Sequence, residues 1–281
     1  KRSNRETDKE NSCYHKELIG YMMKLINGEC LEEMSKLETG SIDLILTDPP
    51  YGTTACKWDT IIPLEPMWEK LKRLIKPNGA IVLFGTEPFS SYLRISNISD
   101  YKYDWIWIKN TPTGFWQAKR MPMKKHEVIS VFYKKQCIYN PQMIKRTEEE
   151  YKKCYRKNNS ASNVAESFGG DGPEGHTPII RKTAEEQWYK NPTMDITIKS
   201  EDYREGKGLH PTQKPVALME YLIKTYTNEN ETVLDFTMGS GTTGVSAKNL
   251  NRNFVGIELD KEYFDIASTR INSTNPLAKF Y

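Results

Sequence analysis

The sequence predicts an α/β fold with a mostly parallel sheet, permuted along the chain and interrupted by an inserted loop-rich module. Short apolar runs alternate with amphipathic stretches from about residue 20, which is typical of sheets covered by helices. This pattern is lost over 140–208 and resumes at residue 215. Too few residues follow Glu258 to complete a sheet, so the remaining strands must come from earlier in the chain.

The apolar periodicity places each element in order. A buried strand over 42–46 is followed by a helix over 64–75 that ends before Pro77 and Gly79. Pro215 marks the first turn of a later helix. The other predicted strands cover 80–85, 103–108, 127–133, 232–236 and 253–258, and the other predicted helices cover 89–98, 216–226, 242–250 and 261–271.

Composition sets broad limits on function. The 281 residues carry a net charge of +3, and no apolar run is long enough for a membrane-spanning helix. The five cysteines are scattered without a CxxC pair, so we expect reduced thiols, no bound metal and a cytoplasmic protein. Residues 1–12 are predicted to be a disordered tail, 13–139 and 209–281 one catalytic domain, and 140–208 a separate module.

A glycine-rich turn follows the predicted strand 232–236. Gly239, Gly241 and Gly244 let a ligand approach the backbone closely, and the helix start behind them favours an anion. Glu258 ends the next strand, where a carboxylate can bind both ribose hydroxyls of an adenosine. The pattern leaves NAD, FAD, S-adenosylmethionine (SAM) and an ordinary tight turn open.

A second turn, Asp48-Pro49-Pro50-Tyr51, follows the buried strand 42–46. Neither proline can donate a hydrogen bond, so the turn presents only acceptors: backbone carbonyls and the Asp48 carboxylate. Such a corner suits an NH2 group, and Tyr51 offers a ring on which a base can stack. The alternative is a structural Pro-Pro turn.

These segments together resemble the DNA amino-methyltransferases of the permuted β type. The matching pieces are NGECLEEM, TDPPYG, AIVLFG, WIWIKN, HPTQKP, DFTMGSGTTG and GIELD, spread over roughly 25–135 and 209–271. The resemblance implies a Rossmann-like SAM-dependent methyltransferase fold, SAM as cofactor, and catalysis by Asp48, Pro49, Pro50 and Tyr51. Its implied cofactor-binding residues are Glu29, Cys30, Thr212, Gln213, Lys214, Asp235, Phe236, Gly239, Ser240, Gly241, Thr242 and Glu258.

The resemblance also suggests a substrate. Asp48 at the head of the turn is similar to the adenine-N6 enzymes, whereas cytosine-N4 enzymes more often carry Ser there. A base amine lies inside the duplex, so we expect the nucleotide to be flipped out, with Trp107 or Phe84 as a second wall beside Tyr51. Double-stranded DNA is then the partner, and the family leaves room for a homodimer and a cognate restriction endonuclease in a bacterial, archaeal or phage-infected cell, near the nucleoid.

A basic stretch provides the candidate DNA surface. From 109 to 135 there are seven Lys or Arg residues and one acid, which also fits a solvated loop. Phe115 and Trp116 lie within the predicted loop 109–125 and could fill the gap left by a flipped base. We assign phosphate contact to Lys109, Lys119, Arg120, Lys124 and Lys125, and reading of the base sequence to 140–208.

Three other classes remain open from sequence. A non-catalytic DNA-binding subunit would keep the fold without turnover. A methyltransferase acting on glutamine or RNA amines would use a similar acceptor turn. A dinucleotide oxidoreductase fits the glycine turn but leaves the residues from Asp48 to Tyr51 unexplained.

Overall fold

The structure is a computed structural model, and it describes residues 22–53, 59–153, 185–199 and 213–275. Within these ranges, eight strands form one sheet and two short strands form a separate pair. The strands are β1 (Met23–Asn27), β2 (Ile42–Thr47), β3 (Ile75–Gly85), β4 (Tyr101–Thr113), β5 (Lys124–Phe132), β6 (Ile144–Lys145), β7 (Tyr189–Lys190), β8 (Asp195–Thr197), β9 (Thr232–Asp235) and β10 (Asn253–Glu258). The helices are α1 (Cys30–Ser35), α2 (Leu64–Leu74), α3 (Phe89–Ser96), α4 (Val216–Tyr226), α5 (Thr242–Asn249) and α6 (Lys261–Ser273).

The sheet order confirms the predicted permutation. The strands lie in the order β1-β10-β9-β2-β3-β5-β4-β8, so the two last strands of the chain sit between its first two. The pairs from β1 to β3 are all parallel, whereas β5 runs antiparallel to both β3 and β4. β2 and β9, far apart in sequence, are therefore direct neighbours.

The side chains of β2 explain why this strand is central. Every residue of Ile42–Thr47 is buried, as expected for a parallel strand covered on both faces. Because successive side chains point to opposite faces, Leu44 and Leu46 enter one half of the core and Ile45 the other. α4 packs into the first half through Leu222, and α2 into the second through Leu71.

All predicted strands and helices outside 140–208 are present, but two stretches differ from their predicted boundaries. β3 begins at Ile75 and not at 80, so it includes Pro77 and Gly79, which were predicted to end the preceding helix. The stretch 109–125, predicted as a loop, is largely a β-hairpin, because β4 extends to Thr113 and β5 begins at Lys124 opposite it. Local composition, with Gly114 and two prolines, hid strand pairing that depends on the partner strand. β1 and α1 were not predicted.

Part of the predicted module joins the sheet. β8 pairs in parallel with β4, and the Trp107 indole N–H donates to the Ile198 carbonyl at 2.8 Å. The tail 1–12 and most of the module lie outside the described residues. No described helix is long and apolar enough to cross a membrane, and no group of metal-ligating side chains occurs in the described part of the chain.

Candidate active site

The acceptor turn and the glycine turn meet at the carboxyl ends of β2 and β9. The Thr47 hydroxyl donates to the Asp235 carboxylate at 3.0 Å and accepts from the Phe236 N–H at 3.2 Å. One residue further, the Thr237 hydroxyl donates to the Asp48 carbonyl at 3.2 Å. The two turns thus form one hydrogen-bonded unit, at the edge where open α/β sheets bind ligands.

A cleft of about 1100 Å³ opens over this unit. It is large enough for a nucleoside-sized cofactor together with a base. Most predicted site residues line it: Glu29, Cys30, Asp48, Pro49, Pro50, Tyr51, Lys109, Gln213, Lys214, Asp235, Phe236, Gly239, Ser240, Thr242 and Glu258. Thr212 lies outside the described residues.

The glycine turn requires glycine at one position, Gly241, because of its backbone conformation and its close packing. Gly241 caps α5 with φ of +79°, and a Cβ there would lie 2.9 Å from the Ala267 Cβ. The Glu258 carboxylate accepts from the Gly239 N–H at 2.8 Å and from the Asp260 N–H at 2.9 Å. Glu258, the predicted ribose acceptor, therefore also fixes the turn that it faces.

The glycine-turn side of the cleft carries two carboxyl groups, the buried Asp235 and the half-buried Glu258. Burial raises the pKa of Asp235 to about 7, although hydrogen bonds from Thr243, Thr237 and Thr47 act against the shift. Burial likewise raises the pKa of Glu258, against the hydrogen bonds from the Asp260 and Gly239 amides. The close backbone at Gly239 and Gly241, with these acids, fits a cofactor that has a ribose and a net positive charge.

Glu29 and Cys30 lie at the start of α1 beside the cleft. Glu29 caps α1 by accepting from the Glu32 N–H at 2.8 Å, and it also accepts from the Cys30 thiol at 3.3 Å. Burial, reinforced by Glu29, raises the pKa of Cys30 to about 12, so its thiol is neutral. Binding of the cofactor by Glu29 and Cys30 remains a prediction.

The acceptor turn is fixed by a residue that sequence reasoning missed. The Asp59 carboxylate accepts from the backbone N–H groups of Tyr51, Gly52 and Thr53 at 2.8 to 2.9 Å. The Tyr51 hydroxyl donates to Asp48, and its ring lies 5.3 Å from that of Phe89. An Asp shortly after a Pro-Pro turn was the available signal, since short acidic side chains often bind turn amides.

Lys214, which is predicted to bind the cofactor, also makes contacts that the sequence did not predict. Its ammonium contacts Asp48 directly and lies 3.5 Å from Glu127. Glu127 also contacts Lys109. Lys109 therefore lies inside the cleft in an ion pair, which disfavours the predicted phosphate contact.

The remaining predictions divide by location. Trp107 is buried and lines the cleft, consistent with a wall, but Phe84 is fully buried in the core and does not line it. Phe84 as a second wall was wrong, and its ring instead lies 5.0 Å from the Lys214 ammonium. Lys119, Arg120 and Lys125 are exposed and Lys124 is half-buried on the β4–β5 hairpin.

The permuted sheet, the glycine turn with its two acids and the acceptor corner define the class of SAM-dependent methyltransferases. Comparison with known proteins identifies the family within this class. A family model described as DNA methylase, of the N6/N4 type, matches residues 42–269. The type II methyltransferase M.HpaI of Haemophilus parainfluenzae is 30% identical over 89% of this chain and 74% of its own length. M.HinfI of Haemophilus influenzae is 26% identical over 91% of this chain and 70% of its own length.

Solved structures agree. M1.HpyAVI in complex with SAM has a TM-score of 0.58 and 29% identity, covering 89% of this chain and all of that one. The cytosine-N4-specific PvuII DNA methyltransferase shares the fold, with a TM-score of 0.58 at 15% identity over 92% of this chain and 91% of its own. The chain belongs to the N6/N4 DNA methylase family, whose members use SAM to methylate DNA.

Proposed function

We propose that this protein methylates N6 of adenine in duplex DNA. The observation that carries the proposal is the Asp48 carboxylate, placed in an acceptor corner and hydrogen-bonded through its own backbone carbonyl to the cofactor turn. A carboxylate at this position is the feature that favours adenine. Cytosine-N4 remains the alternative, because its amine suits the same corner.

The chemistry follows from the acceptors of the corner. Bound SAM would supply an electrophilic methyl group on a good leaving group. The base amine is a weak nucleophile because its lone pair is delocalised into the ring. Asp48 and the Pro49 carbonyl each accept one N–H, which favours a pyramidal nitrogen with its lone pair directed at the methyl. Positioning of this kind provides much of the rate enhancement.

Tyr51 would hold the base. Its hydroxyl is bound to Asp48 and its ring is in contact with Phe89, so the ring has a fixed orientation over the corner. A fixed ring loses little entropy on stacking, which is worth about 1–3 kcal/mol per base. A covalent route through sulfur is disfavoured among the described residues, since burial raises the pKa of both Cys30 and Cys137 to about 12 and about 11.

The DNA would lie across the β4–β5 hairpin. The strand residues of the hairpin up to Thr113 line the cleft. The tip of the hairpin, residues 114–123, carries Phe115 and Trp116, whose side chains are 74% and 95% exposed. Lys119 and Arg120 flank these rings and can contact phosphates, whereas the rings can enter the gap left by a flipped base. Residues 140–208 would read the target sequence, and a cognate endonuclease and a homodimer remain open.

Nucleoside analysis tests the proposal. The protein is incubated with mixed-sequence duplex DNA and SAM carrying a labelled methyl group, and the DNA is digested to nucleosides. Labelled N6-methyladenine supports the proposal. Labelled N4-methylcytosine would show that the target base is cytosine and not adenine. Parallel reactions contain RNA or a protein mixture in place of DNA. Label in those acceptors with none in DNA would overturn the proposal, as would no transfer to any acceptor.

A further inference from the structure

Four charged side chains form a row of ion pairs across the cleft: Lys109, Glu127, Lys214 and Asp48. Their side chains are only 8% to 21% exposed, so each charge depends on its neighbours rather than on water. Two cations balance two anions along this row. Only Asp48 at one end belongs to the acceptor corner.

Asp48 is already occupied on both oxygens. The Tyr51 hydroxyl donates to Oδ1, and the Lys214 ammonium contacts Oδ2. An entering amine needs one of these oxygens as its acceptor. Each carboxylate oxygen has two lone-pair sites, so the amine can bind beside either donor, but an ammonium in direct contact with Oδ2 weakens that oxygen as an acceptor. Since the Tyr51 hydroxyl is part of the stacking platform, Lys214 is the partner whose movement would strengthen Asp48.

Glu127 offers Lys214 another place to bind. Its Oε1 contacts Lys109, but its Oε2 is buried and accepts no hydrogen bond from the residues that the structure describes. This oxygen lies 3.5 Å from the Lys214 ammonium, close enough to attract it but beyond a good hydrogen bond. A small movement of the lysine would fill the unused acceptor.

Lys214 would make this movement as a cation. Burial alone would lower the pKa of Lys214, but Asp48 and Glu127 outweigh burial and raise it to about 12. Lys214 and Lys109 likewise outweigh burial and lower the pKa of Glu127. Both partners therefore remain charged, and a shift of the ammonium from Asp48 towards Glu127 needs no proton transfer.

We propose that Glu127 is a positioning residue that acts through Lys214: it receives the ammonium as the target amine enters and so strengthens Asp48 Oδ2 as the acceptor of the amine N–H. The inference rests on the proposed function, in which Asp48 binds the amine. In this role Glu127, which also lines the cleft, acts on Asp48 and not by contact with the base or the cofactor. Its effect must disappear when residue 214 carries no charge.

A double-mutant cycle tests this coupling. Glu127→Gln keeps the shape but weakens the acceptor, and kcat for DNA methylation should fall about tenfold while the Kd for SAM changes less than about twofold. In a Lys214→Met background the same substitution should change kcat by less than about twofold. In a Lys214→Arg background, where the cation is kept, the loss should return. Lys214→Gln replaces the methionine variant if that variant does not fold.

The matched control is Asp104→Asn. Asp104 is 19% exposed and paired with Arg94, much as Glu127 is 15% exposed and paired with Lys109, but it does not line the cleft. It should leave kcat unchanged. The inference is overturned if Glu127→Gln costs the same with Met at 214 as with Lys, if kcat is unaffected, or if weaker SAM binding explains the loss. A wild-type enzyme that fails to label DNA would instead refute the proposed function.

Discussion

The Thr47 hydroxyl lies between the two turns of the site: it donates to the Asp235 carboxylate and accepts from the Phe236 N–H. Its neighbour in sequence and its hydrogen-bond partners belong to different parts of the site. Asp48, directly after Thr47, belongs to the acceptor corner, whereas Asp235 and Phe236 belong to the glycine turn. Together with the bond from the Thr237 hydroxyl to the Asp48 carbonyl, Thr47 therefore links the acceptor corner to the glycine turn.

Thr47→Val should remove the hydrogen bonds of Thr47 to the glycine turn while the side-chain volume stays nearly the same. Valine loses both hydrogen bonds and leaves the buried Phe236 N–H without its acceptor, whereas Asp235 keeps its bonds from Thr237 and Thr243, so the free energy of unfolding should fall by about 1–3 kcal/mol. Chemical denaturation measures this loss. Thr269→Val is the control, because Thr269 is exposed and bonds only the Asp265 carbonyl of its own helix. Equal losses for the two variants would show that the link between the turns is unimportant.

Asp48→Ala should abolish catalysis while leaving cofactor binding intact. Removal of the carboxylate should lower kcat by at least about a hundredfold, as is typical when a group that aligns the reacting atoms is lost. The Kd for SAM, measured by calorimetry, should change less than about twofold. Asp48→Asn keeps one acceptor oxygen and should retain more activity than the alanine variant. Near-normal turnover in Asp48→Ala would remove the carboxylate from the mechanism.

SAM affinity should rise with pH through neutrality. The cofactor carries a net positive charge, and the raised pKa of Asp235, about 7, means that this carboxyl is mostly neutral at pH 6 and mostly anionic at pH 8. The anionic form attracts the cofactor, so affinity should increase about tenfold over that interval.

Asp235→Asn should remove this pH dependence, because the amide does not titrate. Asp43→Asn should keep it, since Asp43 is also a buried carboxylate but pairs with Lys76 outside the cleft. A flat profile for the wild-type protein between pH 6 and pH 8 would mean that Asp235 does not contribute to cofactor charge recognition.

Trp116→Ala should weaken DNA binding but not SAM binding. Loss of one stacking ring should lower affinity for the target duplex between about fivefold and a hundredfold, and a target-site fluorescent base analogue should report less flipping. Tyr92→Ala is the control, as Tyr92 is 65% exposed on α3, away from the hairpin. If both substitutions had equal effects, or if Trp116→Ala had none, the hairpin tip would not be part of the DNA-binding surface.

Lys119→Ala and Arg120→Ala should act differently from Trp116→Ala. Each removes one phosphate contact, so the slope of log affinity against log salt should become shallower by about 0.9, with no change in base preference. Filter binding over a salt series measures the slope. An unchanged slope would place these two cations outside the DNA surface.

Sequence patterns predicted what depends on local residues. The mostly apolar strand Ile42–Thr47 and the glycine turn carry their own signals, so both turns and their shared edge followed from strand order. The salt bridge of Lys214 with Asp48 joins residues that are 166 positions apart, and no periodicity encodes such a contact. Asp59 and the hairpin at Thr113 were missed for another reason. Their partners are close in sequence, but turn-type residues there, such as Gly114, indicated a loop and not the strand pairing and turn hydrogen bonds that form.

The permuted sheet has a consequence for how the protein is made. The ribosome releases Thr47 long before Asp235, which follows 188 residues later, and β2 gains its parallel neighbour β9 only then. A nascent chain stopped within the module would expose one long edge of β2 and contain none of the glycine turn. Premature termination should therefore yield a product that aggregates through the unpaired edge of β2.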